Sequence, residues 1–262
     1  KKRVIALLLI FCLALSACGG SGTKNETTTT APAESTTKEV VTIPETTTAA
    51  PETTTAAPET TTAAPETTTA AEEDPGLDSV LGTKDGQSYK QELFKIKADL
   101  PTNYYIASDA EMGQIQENVE ELLDTGSTVY DLCAVDQTSG NSIVVTIFPV
   151  TMAEHLMLMT APGNYYDALI PELENQYSSL AEDAHLEDIK VEKGSVTFLG
   201  KEVPCVTLSW LEKDYDMVHY QTQIMLSELN NAKPYGLCIT TASYASAQQA
   251  ADLLGLFEAY EQ

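Results

Sequence analysis

The most reactive group near the start of this sequence is the thiol of Cys18, and the residues before it form a recognisable pattern. Residues 1–3 are basic, residues 4–15 form an uncharged apolar run, and two small residues precede Cys18. This order is typical of an export signal. At about 1.5 Å per residue, the apolar run gives a helix of ~18 Å, too short for a hydrocarbon core of ~30 Å. The pattern therefore predicts an exported chain with a nucleophilic cysteine at the end of its signal.

The residues Leu15-Ser16-Ala17-Cys18 resemble the lipobox of bacterial lipoproteins. The resemblance implies that residues 1–17 are a signal peptide and that Cys18 receives lipid and becomes the first residue after cleavage. Two acyl chains hold a protein stably at a bilayer. We therefore predict a lipid-anchored protein on the extracytoplasmic face of a bacterial cell membrane. An ordinary secretory signal with a chance cysteine is the alternative.

Residues 18–76 have the composition of a flexible tether. The unit Pro-Glu-Thr-Thr-Thr-Ala-Ala occurs four times in succession between Pro44 and Ala71. A proline in every unit prevents a continuous helix, and the stretch has too few large apolar side chains to offset the entropy lost on ordering. We predict a disordered, partly polyproline-like stalk that holds the rest of the chain away from the membrane.

Residues 77–262 are predicted to form one α+β domain, because a segment of this length can bury a sizeable core. The segment contains nine lysines, no arginine and twenty-nine acidic residues, which gives a net charge of −20. A field of that sign repels nucleic acid and anionic lipid headgroups. Nucleic acid is therefore excluded as a partner.

The domain carries no motif of a common enzyme. None of its three histidines pairs with another histidine or with cysteine at metal-ligand spacing, and neither a phosphate-binding loop nor a nucleophile elbow is present. Side chains that could bind Cu(I) lie in one short segment, at Met152, His155, Met157 and Met159. Ligands on opposite faces of a helix cannot share a metal. We therefore predict no metal, no cofactor and no catalytic residue.

Helix and strand patterns are interspersed along the domain. Ser108, Thr151 and Ser246 are each followed three residues later by Glu or Gln, a pattern typical of a helix start, and Asn164 is a fourth cap. Runs with strand character lie at 89–100, 129–136, 142–149, 188–199, 201–211, 217–227 and 235–243. Short connections in the second half favour an antiparallel meander. We predict a largely antiparallel sheet of about six to seven strands, covered by helices on both faces.

The order of these elements and the segment Leu100-Pro101-Thr102-Asn103-Tyr104-Tyr105 resemble the α/β/α sandwich shared by the photosystem protein PsbP and the nuclear transport factor Mog1. The resemblance covers most of residues 85–262. It implies a binding or assembly role more often than catalysis. Similar domains occur on lipoproteins of Gram-positive bacteria, which is the source that the resemblance implies.

A polar face on the hairpin at 201–227 is the candidate binding surface. If Leu211 and Met217 lie opposite each other, the apolar side chains of the two strands share one face. The other face then collects the polar side chains of Thr207, Ser209, His219 and Gln221. Two interpretations stay open, a solvated sheet face or a polar floor for a ligand or protein partner. Ser209 and His219 are not predicted to be a catalytic pair, because no acid is identifiable that would orient the histidine.

Three cysteines remain in the domain, and each lies among apolar neighbours. Cys133, Cys205 and Cys238 are predicted to be buried thiols outside any disulfide, with one disulfide as the alternative. In the predicted strand order, Cys205 and Cys238 lie two strands apart, about 9.6 Å, which exceeds the ~7 Å limit for a disulfide.

The leading functional hypothesis is a surface-tethered, non-catalytic binding or assembly domain for an unknown protein or small-molecule partner. It depends on the missing catalytic motifs and on the long stalk. One alternative is a lipoprotein that binds a small molecule or a cell-wall polymer in connection with transport. The other is an enzyme without a recognisable motif.

Overall fold

The computed structural model describes residues 76–120, 127–181 and 184–260. The predicted signal peptide, the predicted lipidation site Cys18 and the predicted stalk up to residue 75 lie outside the described residues. Among the helices that the structure describes, none is long and apolar enough to cross a membrane.

The larger sheet has seven antiparallel strands. They are β4 (Tyr104–Ile106), β5 (Val129–Asp136), β6 (Ser142–Pro149), β7 (Leu186–Phe198), β8 (Lys201–Glu212), β9 (Met217–Asn230) and β10 (Lys233–Ser243). Their spatial order is β4-β5-β6-β10-β9-β8-β7. The predicted hairpins β5–β6 and β7–β8 are present, and β9 pairs with β10 along its length. The predicted antiparallel meander is therefore confirmed.

The sequence patterns do not predict the smaller, four-stranded antiparallel sheet. It consists, in spatial order, of β1 (Thr83–Asp85), β2 (Ser88–Gln91), β3 (Ile96–Asp99) and β11 (Phe257–Ala259). β2 and β3 account for the predicted run of strand character at 89–100. β11 brings the end of the described chain back to its beginning, since Phe257 lies opposite Ala98.

The four predicted helices are present and start at or near their caps. They are α1 (Asp109–Glu120), α2 (Met152–Thr160), α3 (Pro162–Leu180) and α4 (Ala247–Asp252). Thr151 and Glu154 form a complete capping box at α2. α3 begins at Pro162, two residues before the predicted cap Asn164, because proline suits the first position of a helix. α4 ends at Asp252, and the chain then passes through a 3₁₀ turn at Leu253–Leu256 into β11.

The two faces of the seven-stranded sheet have different covers. α1, α2 and α3 pack on one face, here called the helix face, where aromatic residues of α3 contact β8 and β10 residues. The four-stranded sheet and α4 pack on the other face, here called the groove face. Helices therefore lie on both faces of an α+β fold, as predicted, and the unpredicted small sheet shares the groove face with α4.

Asp131 connects the two sheets. It lies in a bulge of β5, is 1% exposed, and its carboxylate accepts hydrogen bonds from Gly82 N–H at 2.8 Å and from the Tyr89 hydroxyl at 2.7 Å. Gln91 Nε2 donates a further bond at 3.1 Å. A Cβ on Gly82 would lie 2.7 Å from Tyr89 Cε2 and 3.0 Å from Asp131 Oδ2, so only glycine fits beside the carboxylate.

The cysteines of the domain are buried thiols outside any disulfide, as predicted. Cys205 lies on β8 and Cys238 on β10, with β9 between them, and they join hydrophobic clusters on opposite faces of the sheet. Burial raises the pKa of the Cys205 thiol to about 11, so this thiol stays protonated and unreactive at neutral pH.

Candidate binding groove

The register of the β8–β9 hairpin differs from the predicted one by one residue. Glu212, and not Leu211, lies opposite Met217, because the turn spans residues 213–216 and is one residue shorter than predicted. Side chains alternate along a strand, so a shift of one residue changes which of them share a face. The predicted common polar face is therefore wrong for the set Thr207, Ser209, His219 and Gln221.

The observed register divides these four side chains between the two faces of the sheet. His219 and Gln221 lie on the helix face, where both are fully buried. Thr207 and Ser209 lie on the groove face and are half-buried, with Thr207 opposite Thr222 of β9. Of these four side chains, only those of Thr207 and Ser209 are partly exposed to solvent.

His219 belongs to a closed core cluster. Its Nε2 lies 2.8 Å from the Glu212 carboxylate, the Trp210 ring stacks on the imidazole at 5.0 Å between centroids, and the Tyr244 ring meets it edge-on at 4.2 Å. Burial lowers the pKa of His219 to about 4 and raises the pKa of Glu212, which the nearby charge of Asp214 raises further. The imidazole is therefore neutral at pH 7 and serves the stability of the fold.

An open groove of about 570 Å³ lies on the groove face. Strands β7, β8 and β9 form its floor, and α4 with the 3₁₀ turn after it forms one wall. Thr207, one of the four predicted residues, lies in the floor. Volumes of roughly 300–1,000 Å³ are typical of sites for small molecules. This groove is therefore the candidate binding site of the domain.

The wall of the groove is thin because small residues of α4 and the following turn face the strands. Ala247, Ala251 and Gly255 recur at intervals of four residues and line the groove. The helix is held in place by the Ser246 cap, whose side chain accepts a bond from a backbone N–H, and by the Thr241 hydroxyl, which donates to the Ala250 carbonyl at 2.6 Å. Small side chains on a fixed helix leave the space beside the strands open.

Two hydroxyl groups lie in the floor of the groove, those of Thr207 and Thr222. Ser195, Val196 and Thr197 line the groove along β7, but the Ser195 and Thr197 side chains alternate onto the helix face, since Ser195 lies opposite Pro204 and Thr197 opposite Glu202. The Thr207 hydroxyl donates to the Glu192 carbonyl at 3.3 Å. Thr222 is 0% exposed, and its Oγ1 has no hydrogen-bond partner among the described residues. The floor can therefore accept and donate hydrogen bonds without carrying charge.

One carboxylate is the only ionic group in the described lining of the groove. Asp252 accepts a hydrogen bond from Gln248 Nε2 at 2.7 Å, and both side chains lie at the wall. Among the described residues that line the groove there is no lysine, arginine or histidine. Together with the net negative charge of the domain, this lining repels anionic ligands.

The segment with potential Cu(I) ligands does not converge on one point. His155 is buried, and its Nδ1 lies 2.8 Å from the Ser227 hydroxyl, whereas Met152 and Met159 are exposed. In the part of the chain that the structure describes, no three His, Cys, Asp or Glu side chains are grouped to hold a metal ion.

Apart from Thr207, the residues that line the groove are not predicted as site residues from the sequence. The small residues of α4 carry a usable signal, because Ala247, Ala251 and Gly255 recur at helical spacing on a helix predicted from its cap. Thr222 carries none, because its place beside Thr207 depends on the register of the β8–β9 turn.

Comparison with known proteins leaves the family of this chain open. No protein-family model and no curated protein matches the sequence. Among solved structures, the chain is similar to the crystal structure of LpqN, described as involved in cell envelope biogenesis of Mycobacterium tuberculosis. The identity is 10%, the TM-score is 0.36, and the match covers 63% of this chain and 83% of that chain. A likeness of this size carries no argument about fold family, partner or activity.

Proposed function

We propose that this protein is a lipid-anchored, non-catalytic binding protein whose domain holds a small, uncharged, polar ligand in the groove between β7–β9 and α4. The observation that carries the proposal is the groove itself, an open space of about 570 Å³ with the hydroxyl groups of Thr207 and Thr222 in its floor. A non-catalytic role is supported by the partner of the Thr207 hydroxyl, which donates to the Glu192 carbonyl and not to a histidine.

The proposed ligand is a neutral molecule with several hydroxyl groups, such as a sugar ring. A sugar presents hydroxyls at its edge and C–H groups on its faces. The hydroxyls would meet Thr207, Thr222 and Gln248, and the C–H face would lie against Ala247 and Ala251. Anionic ligands would meet Asp252 and the acidic surface without a compensating cation.

The proposed tether is the lipid on Cys18 and the stalk after it. The lipobox residues Leu15-Ser16-Ala17-Cys18 and the repeated Pro-Glu-Thr-Thr-Thr-Ala-Ala units support this part of the proposal. We expect Cys18→Ser to lose radiolabelled fatty acid and to appear in the culture medium, because one unanchored hydrophilic domain has no affinity for the bilayer. Undiminished labelling of this variant would show that the anchor is elsewhere.

A thermal-shift series on the full-length protein tests the ligand proposal. The probes are glucose, galactose and N-acetylglucosamine as neutral sugars, with N-acetylglucosamine 6-phosphate as the anionic counterpart. A ligand that binds only the folded state raises the melting temperature in proportion to its occupancy. We expect a concentration-dependent rise with at least one neutral sugar and none with the phosphorylated sugar.

The control for this series is Ala251→Phe, which places a ring in the groove from its thin wall. We expect the variant to fold and to show no rise with any sugar, since the space is filled. If no neutral sugar stabilises the wild-type protein, or if Ala251→Phe responds as the wild type does, the groove is not a site for this class of ligand.

A further inference from the structure

Thr222 and Thr241 form a matched pair on the groove face of the sheet. They lie opposite each other on β9 and β10, and both are 0% exposed. The Thr241 hydroxyl donates to the Ala250 carbonyl at 2.6 Å, so it ties β10 to α4. The Thr222 hydroxyl has no partner among the residues that the structure describes, and Thr222 lines the groove.

A buried hydroxyl without a partner lowers the stability of the folded state. It has lost its hydrogen bonds to water and gained none from the protein. Valine has nearly the shape of threonine and would fill the same position without that loss. A threonine at this position is therefore unfavourable for the unliganded fold, whereas the hydroxyl of Thr241 is needed for the fold.

We infer that the Thr222 hydroxyl is the specificity-determining group of the groove and forms a hydrogen bond with a hydroxyl or carbonyl group of the bound ligand. The inference rests on the proposed function, since it concerns the same groove. Thr207 lies opposite Thr222 on β8, but its hydroxyl already donates to the Glu192 carbonyl. Thr222 is thus the floor residue whose hydroxyl keeps its donor as well as its acceptor capacity for a ligand.

The inference also narrows the ligand class. A site that hydrogen-bonds a ligand hydroxyl discriminates strongly against the analogue that lacks it, because the protein group is then buried without a partner. The ligand must therefore place a polar group at one fixed position above β9. Deoxy sugars that lack a hydroxyl at that position should bind roughly tenfold more weakly or worse than the parent sugar.

The test compares Thr222→Val with Thr241→Val in the full-length protein. We expect Thr222→Val to raise the melting temperature of the unliganded protein by about 2–4 °C, whereas Thr241→Val lowers it, since only the second variant breaks a hydrogen bond. We expect Thr222→Val to weaken binding of the neutral sugars glucose, galactose and N-acetylglucosamine roughly tenfold or more, and Thr222→Ser, which keeps the hydroxyl, to retain most of it.

The outcomes separate this inference from the proposed function. If Thr222→Val binds the sugars as the wild type does while Ala251→Phe does not, the groove is the site and the role given to Thr222 is wrong. If Thr222→Val lowers the melting temperature as Thr241→Val does, the hydroxyl is structural, for example through an ordered water, and the inference is overturned. If Thr222→Val does not fold, the affinities of the wild-type protein for the parent sugar and its deoxy analogues test the inference instead. Equal affinity for the parent sugar and every deoxy analogue would contradict it.

Discussion

Replacing Asp131 by alanine is expected to lower the free energy of unfolding by about 3–5 kcal/mol. The carboxylate accepts hydrogen bonds from Gly82, Tyr89 and Gln91, and all of these donors come from the small-sheet side of the fold. Alanine would leave the donors without their acceptor, in a place that is 1% exposed. Because single domains are stable by about 5–15 kcal/mol, the loss is a large fraction of the total.

Urea unfolding of the full-length protein measures this effect. Asp131→Asn is expected to lose less stability than Asp131→Ala. Its amide oxygen can still accept a hydrogen bond, whereas its amide N–H group faces donors that it cannot bond. Asp109→Ala is the matched control, since Asp109 is exposed and pairs with Lys84 at 3.0 Å. We expect the control to change stability by no more than about 1 kcal/mol. An equally small effect for Asp131→Ala would show that the two sheets do not depend on this carboxylate.

Acidification from about pH 7.5 to about pH 5 is expected to cost about 2 kcal/mol of stability through His219. The folded-state pKa of His219 is about 4, below its ordinary value of 6.5. The unfolded chain therefore binds a proton as the pH falls through 6.5, and the folded protein does not until the pH approaches 4. Stability that is present above pH 6.5 is lost across this window. Glu212 acts in the opposite sense, because its pKa is raised and its neutral form suits the fold.

The difference between the wild type and His219→Gln isolates the contribution of His219. Glutamine does not titrate and can still donate to Glu212. Between about pH 7.5 and about pH 5, the variant should therefore lose about 2 kcal/mol less unfolding free energy than the wild type. An NMR titration of the His219 imidazole in the wild type gives the folded-state pKa directly. A value near 6.5 would contradict the burial of this side chain.

The strands of the β5–β6 hairpin could be predicted residue by residue, whereas the four-stranded sheet could not. β5 and β6 are long, apolar and joined by a short polar turn, so their signal is local. β1 and β11 have three residues each, and β11 is fixed only by its pairing with β3, far away in the sequence. Short strands of this kind are determined by tertiary contacts that a sequence pattern does not contain.

Of the residues that line the groove, the sequence predicts only Thr207 as a site residue. The alternation of polar residues along β8 identifies Thr207 and Ser209 as one face. The residue of β9 that lies opposite Thr207 depends on the length of the β8–β9 turn. Because that turn is one residue shorter than predicted, Thr222 lies opposite Thr207 instead of Gln221. The wall depends on where α4 packs, which the bond between Thr241 and the Ala250 carbonyl fixes and no local pattern reveals.

Methyl NMR of the full-length protein tests most directly whether the groove is the ligand site. The protein is labelled at its alanine methyl groups and titrated in turn with glucose, galactose and N-acetylglucosamine. Ala247 and Ala251 line the groove, whereas Ala250 of the same helix is 0% exposed and serves as an internal control. Saturable shifts at Ala247 and Ala251 that exceed the shift at Ala250 are the predicted result. No saturable shift at the two groove methyls with any of the three sugars, or larger shifts elsewhere in the domain, would contradict the proposed site.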